Sequence, residues 1–169
     1  MSATEDNKYL IFTLGKETYG VPILKIQNIE RGLDITPVPG TPSFVKGITN
    51  LRGQIVPVLD LKEKLGIGES EVTEKTCVII VNVRKDASLH KNGVMVDEVK
   101  EVLDMSEELI EPVPKHHDSQ IDQEFMSGIG KVKAKDKDGK EEIEDRVIIL
   151  LDIQRILEMS EGASVSIMR

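Results

Sequence analysis

The sequence predicts an all-β protein assembled from two related β-rich halves, and three observations carry that reading. Apolar residues gather in short β-branched runs bounded by Gly, Asp, Asn or charge, the pattern of strands. Helical periodicity is confined to two short stretches. Motifs of the first half also return, in the same order, in the second.

The strand runs are "KYLIFTL" (8–14), "TCVIIVNV" (76–83), "NGVMVDEV" (92–99) and "RVIILLDI" (146–153). Within "GITNLRGQIVPVLDL" (47–61) the chain also reads as strand on either side of Arg52. Pro57 in the second of those runs lacks an N–H and predicts an edge strand or a bulge there. The helical stretches are "DLKEKL" (60–65) and "DIQRILEMS" (152–160). Each starts at an Asp suited to N-capping and continues with apolar i, i+4 spacing.

The repeat is read from four matches in order. "GVPILKIQNI" (20–29) lies against "GVMVDEVKEV" (93–102), and "ITPVP" (35–39) against "IEPVP" (110–114). "FVKGI" (44–48) lies against "FMSGI" (125–129), and "IVPVLDLKEKL" (55–65) against "VIILLDIQRIL" (147–157). The offset grows through 73, 75, 81 and 92, as loop insertions in the second copy require. The expected units are one domain at 8–159 made of subdomains at about 8–67 and 76–159, with flexible tails at 1–7 and 160–169. Neither half of that size buries much core alone. The two are expected to pack together as small barrels, which leave no sheet edge exposed. The extra length of the second copy is mostly "KVKAKDKDGKEEIEDR" (131–146), where Asp138-Gly139 predicts the turn of a charged β-hairpin.

Composition removes several function classes. With 39% apolar residues but no Trp, three Phe and two Tyr, the core must come from Val, Ile and Leu. A net charge of −8 repels phosphate backbones, so nucleic acid is not an expected partner. No run approaches the roughly 18 apolar residues of a membrane helix, and the polar, acidic "MSATEDNK" does not read as a secretory signal. A lone cysteine, Cys77, forms no internal disulfide, which fits a cytosolic protein.

Catalytic and metal signatures are missing. His90 stands in a polar segment and His116-His117 are adjacent, so their side chains point apart instead of sharing a metal. Cys77 opens an apolar strand and reads as an inert buried thiol. "KDKDGKEEIED" resembles a calcium loop, but alignment on Gly139 puts Ala134 at the first ligand position, so calcium is rejected. Asp60 and Asp152 occupy equivalent positions in the repeat and are read as helix caps. No cofactor or metal is expected.

Two features carry a possible binding role. Ile26 and Ile29, and their equivalents Val99 and Val102, sit at i, i+3 with charged or amide residues between. They are either inward barrel positions or an apolar stripe along the seam between the halves, where an amphipathic helix could lie. Arg52 either holds a turn, with Asn50 and Gly53 supplying left-handed backbone, or anchors an interface through its guanidinium. The second copy carries no equivalent arginine.

"YLIFTLGKETYGVPILKIQNI" (9–29), "TPSFVKGITNLRGQIVPVLDL" (41–61), "FMSGIG" and "RVIILLDIQRIL" together closely resemble the CheW family of bacterial chemotaxis coupling proteins, over about 8–159. The resemblance implies two SH3-like five-stranded β-barrels sharing an apolar core, with short helices after the barrel-closing strands and near the C-terminus. It implies a non-enzymatic cytoplasmic adaptor, recruited to membrane-associated receptor arrays. Its partners would be the CheW-like regulatory domain of the histidine kinase CheA and the cytoplasmic hairpin tip of methyl-accepting chemoreceptors. The receptor tip would enter a groove between the barrels, lined at positions matching Ile26, Val99, Val102 and Arg52, with Ile29 beside them. The kinase would use two faces, one on each barrel, without residue assignment. Glu98 departs from the glycine common in the family and adds charge beside that groove. A small-ligand barrel and an enzyme using Asp60, Asp152 or His117 are the rival readings.

Overall fold

The β-branched runs become strands in the computed structural model, which describes residues 7–113, 123–135 and 141–158. In order they are β1 Lys8–Leu14, β2 Glu17–Pro22, β3 Ile26–Glu30, β4 Val45–Leu51 and β5 Gln54–Asp60, then β6 Cys77–Lys85, β7 Ser88–Val96 and β8 Glu98–Asp104. The last three are β9 Ile110–Glu111, β10 Met126–Lys135 and β11 Glu141–Leu151. Helix α1 is Leu61–Lys64, and a second helix, α2, occupies 153–158. The predicted run at 92–99 proves to be the end of one strand and the start of another, broken at Asp97. Asn7 is tied down by its carbonyl, which accepts from the Met105 N–H at 2.7 Å. The remainder of the two predicted tails lies outside the described residues.

The strands form two sheets, ordered β8-β1-β2-β11-β10-β9 and β3-β6-β7-β5-β4. This arrangement does not coincide with a division at 8–67 and 76–159. The first hairpin, β1–β2, joins the late strands, and the hairpin β6–β7 of the second half joins the early ones. The connections explain why. Only a 3-10 turn, Ile23–Lys25, separates β2 from β3, and only Asp97 separates β7 from β8. Each of these links crosses from one sheet to the other, so the strands on its two sides belong to different barrels. Asp97 also stitches the crossing: its Oδ2 accepts from Gly15 N at 2.7 Å and lies 3.6 Å from Lys62 Nζ.

The repeat survives in register, strand by strand. Ile26 faces Val81, Asn28 faces Ile80 and Ile29 faces Ile79; equivalently, Val99 faces Phe12, Glu101 faces Ile11 and Val102 faces Leu10. Both ladders carry an irregularity at the same place, skipping Gln27 in β3 and Lys100 in β8. The parallel pairs Val58–Gly93 and Leu150–Gly20 also correspond. Each barrel closes the same way. Thr36 bridges Ile48 through bonds of 2.8 and 2.9 Å, and Glu111 of β9 pairs with Ile129. Thus the sixth strand of one sheet is the counterpart of a single bridge in the other, and each barrel has five principal strands.

Pro57 does not mark an edge, because β5 lies between β7 and β4. Ile48, its partner, turns its own N–H and carbonyl toward Thr36. Pro57 therefore faces away from β4 with its nitrogen, just before the pairing with β7 begins at Val58. No ladder bond is lost. The charged hairpin is present in the pairing of β10 with β11 out to Lys135–Glu141, while the predicted turn at Asp138-Gly139 lies outside the described residues.

Apolar side chains segregate into three clusters. Leu51, Val56, Val58, Val78, Ile80 and Met95 fill one barrel, and Ile11, Met105, Ile148 and Leu150 fill the other. The largest cluster lies at the seam, where Leu10, Phe12 and Tyr19 meet Ile79, Val81, Val94 and Val96 under residues of α1 and α2. The seam is thus the shared core.

Gly47, at φ +145°, sits where the first barrel closes, and a Cβ there would collide with the Thr36 carbonyl. At its equivalent, Gly128, a Cβ would stand 2.8 Å from Ile110 Cγ2 and 3.2 Å from Glu111 O, a tight fit that is less severe. Gly47→Ala is expected to lower unfolding free energy by ~3 kcal/mol or more, the range of severe backbone and packing damage. Gly32→Ala, at φ +63° with nothing within 4 Å, should cost only the left-handed penalty of ~1–2 kcal/mol. Urea unfolding midpoints of the two variants measure the difference.

Candidate functional site

Strands β3 and β8 are end strands of their sheets, and their apolar residues border the seam. A plain strand would send residues i and i+3 to opposite faces. The skipped residue in each ladder restores them to one face, opposite Val81 and Ile79 in one sheet and Phe12 and Leu10 in the other. All four of those partners belong to the seam cluster. Ile26 and Val99 are half-buried and pack against that cluster. Ile29 and Val102, farther along, are 40% and 50% exposed. Each stripe therefore passes from shared core to solvent.

Arg52 occupies a different element. Leu51 pairs with Gln54, leaving Arg52 and Gly53 as a two-residue hairpin turn with φ of 53° and 85°. Positive φ at both positions matches the right-handed twist of the flanking strands. The division of labour differs from the sequence reading: Arg52 itself adopts the left-handed backbone, whereas Asn50 remains in β4. The Asn50 Oδ1 instead accepts from Gly53 N at 2.9 Å and holds the turn. The Arg52 side chain is exposed, and among the described residues no hydrogen bond or ion pair engages it. The structure brings the four apolar residues to the seam but links Arg52 to none of them by a polar contact.

Of the rival catalytic residues, the two aspartates are otherwise employed. Asp60 does not cap α1, contrary to the sequence expectation. Its fully buried carboxylate accepts from Ser70 N at 3.0 Å and Ser70 Oγ at 2.6 Å. Lys46 Nζ stands 3.7 Å from Asp60, Glu63 and Glu69 alike. Charge-assisted bonds offset the cost of burying that carboxylate, and the cluster pins the 66–76 connector to the first barrel. Asp152 does cap: its Oδ1 accepts from Arg155 N at 3.0 Å. Cys77 is buried. His90 is exposed and bonded to Ser88 Oγ at 3.0 Å, and His116 and His117 lie outside the described residues.

Two exposed residues escaped the sequence reading. Ile55 and Val147, 52% and 55% exposed, present an apolar side chain at the same position of each barrel. Their alignment in the fourth repeat match was the available signal. It became informative only once both were seen to face solvent.

Comparison with known proteins agrees with this architecture. A family profile described as the CheW-like domain matches residues 8–161. A Klebsiella aerogenes protein named Chemotaxis protein CheW is 38% identical over 96% of the chain and 88% of its own length. The Thermotoga maritima protein of the same name is 32% identical over 92% and 91%. Among solved structures, the scaffolding protein TtCheW from Thermoanaerobacter tengcongensis superposes with a TM-score of 0.73 at 35% identity, covering 90% of this chain and 93% of that one.

The free, left-handed Arg52 makes a stability prediction. Arg52→Gly relieves a left-handed steric cost of about 1–2 kcal/mol, which outweighs the roughly 0.4–1 kcal/mol lost to a more flexible unfolded chain, so it should raise unfolding free energy by about 0.5–1 kcal/mol. Chemical denaturation tests this. A loss of stability instead would show that the guanidinium braces the fold from within.

Proposed function

The chain belongs to the CheW-like domain family, and from that membership we propose that it is a non-enzymatic chemotaxis adaptor coupling the histidine kinase CheA to chemoreceptor tips. The observation that carries the receptor assignment is the pair of apolar stripes leaving the shared core at equivalent edges. Ile26 and Ile29 provide one border and Val99 and Val102 the other. An amphipathic helical tip buries its apolar face in such a surface and leaves its polar face in water. Arg52, with its side chain uncommitted, supplies a planar donor for carboxylates or carbonyls at the rim. Asn50 and Gly53 hold the turn that presents it.

The kinase contact is assigned to two faces, one per barrel, and the paired exposure of Ile55 and Val147 fits that arrangement. The adaptor makes and breaks no bonds. It raises the local concentration of kinase at receptor tips and passes a bias between its interfaces. None of the described helices is long and apolar enough to cross a membrane; in the proposed role, recruitment to the membrane-bound receptor comes through protein contacts from the cytoplasm.

Titration with a receptor cytoplasmic fragment and with the kinase regulatory domain tests the proposal; a folded chain that binds neither would contradict it. Arg52→Ala and Val102→Asp should each weaken receptor binding tenfold or more, equivalent to ~1.4 kcal/mol, with kinase binding changed less than twofold. Val99→Asp should do the same while keeping a native circular dichroism spectrum. Unfolding of that variant would assign Val99 to the core alone.

A further inference from the structure

The seam is apolar at its duplicated helical positions except at one. Leu61 of α1 matches Ile153 of α2, and Leu65 matches Leu157; all four are buried in the shared core. Between them, Lys64 stands where the second copy has the fully buried Ile156. The Lys64 ammonium lies 4.5 Å from the ring centroid of Phe44 and 5.8 Å from that of Phe125. These two rings are themselves equivalents, one leading into β4 and the other into β10. Their carbonyls accept from Asp60 N at 2.7 Å and Asp152 N at 2.9 Å, again in matching fashion. One cation therefore faces an aromatic residue from each barrel, and burial lowers its pKa.

An isoleucine fits this position in the other copy, so packing alone does not call for a lysine. A partly desolvated cation among apolar groups is less stabilising than an apolar side chain of similar volume. Its attraction to an aromatic face is broad in distance and orientation. We propose that Lys64 is a positioning residue that keeps the barrel-to-barrel angle adjustable, and with it the relative placement of β3 and β8. The seam then has one compliant point in an otherwise close-packed core. The link to β3 and β8 rests on the receptor-binding reading, but the adjustability itself does not.

The test uses the full chain with spin labels at Ile55→Cys and Val147→Cys, one on each barrel, leaving buried Cys77 in place. Double electron–electron resonance should give a broad distance distribution for the parent chain, narrowed to about half its width by Lys64→Ile. Melting temperature should rise by roughly 2–4 °C, the shift expected of a modest gain in a chain of this size. Lys64→Arg should restore both parent values. Adding a receptor cytoplasmic fragment should move the parent distribution and leave that of Lys64→Ile in place. Lys64→Met serves the same purpose if the isoleucine variant fails to fold. An unchanged width, or a fall in melting temperature with both apolar variants, overturns the proposal. Failure of every chain to bind the fragment, with the width still narrowed, would instead count against the receptor reading alone.

Discussion

Everything in this molecule depends on the reciprocal exchange of hairpins across the seam. Each barrel completes its sheet with two strands from the other copy, so neither copy has a finished sheet of its own. The exchange places β1 and β6 beside β8 and β3, and the two exchanged hairpins, β1–β2 and β6–β7, supply much of the shared core. Opening the seam would expose Phe12, Tyr19, Ile79, Val81 and Val96 together, a large apolar area to return to water. The links from β2 to β3 and from β7 to β8 each cross between the sheets within three residues. Short connections and apolar burial thus act in the same direction.

Duplication with divergence explains where specificity resides. The scaffold is repeated down to the skipped residue in β3 and β8, but several polar positions are not. Asp152 caps a helix, whereas Asp60 turns inward to hold Ser70 and Lys46. Arg52 occupies a tight turn in the first copy, where the second grows a long hairpin. Lys64 replaces an isoleucine. A duplicated fold provides two equivalent apolar borders, and these unmatched polar residues distinguish one border from the other.

Much of the fold was legible in the sequence because strand periodicity and turn residues are local. β1 stands where its run predicts it, and the four repeat matches reappear as matched registers. The pairing of copies was not legible, since similarity between Gly20 and Gly93 says that they are alike but not which strand each will meet. Pro57 does not mark an edge for a related reason: its missing N–H costs no ladder bond because the pairing of β5 with β7 begins only at Val58, a fact of register. Asp60 read as a cap because its neighbours resemble those of Asp152, and only burial separates the two. At the candidate site, the stripe of Ile26, Ile29, Val99 and Val102 was visible as spacing. Its position at the rim of the seam required the exchanged topology, and the left-handed backbone of Arg52 required the turn geometry.

The central proposal is that the seam border formed by β3 and β8, together with the 50–53 turn, is the surface that meets a receptor helix. Backbone amide shift mapping of the intact chain during titration with a receptor cytoplasmic hairpin fragment tests it most directly. The account predicts saturable perturbations concentrated in β3, in β8 and at Asn50 to Gly53. Perturbations confined to the 131–135 and 141–146 arms of the charged hairpin, with β3 and β8 silent, would contradict it.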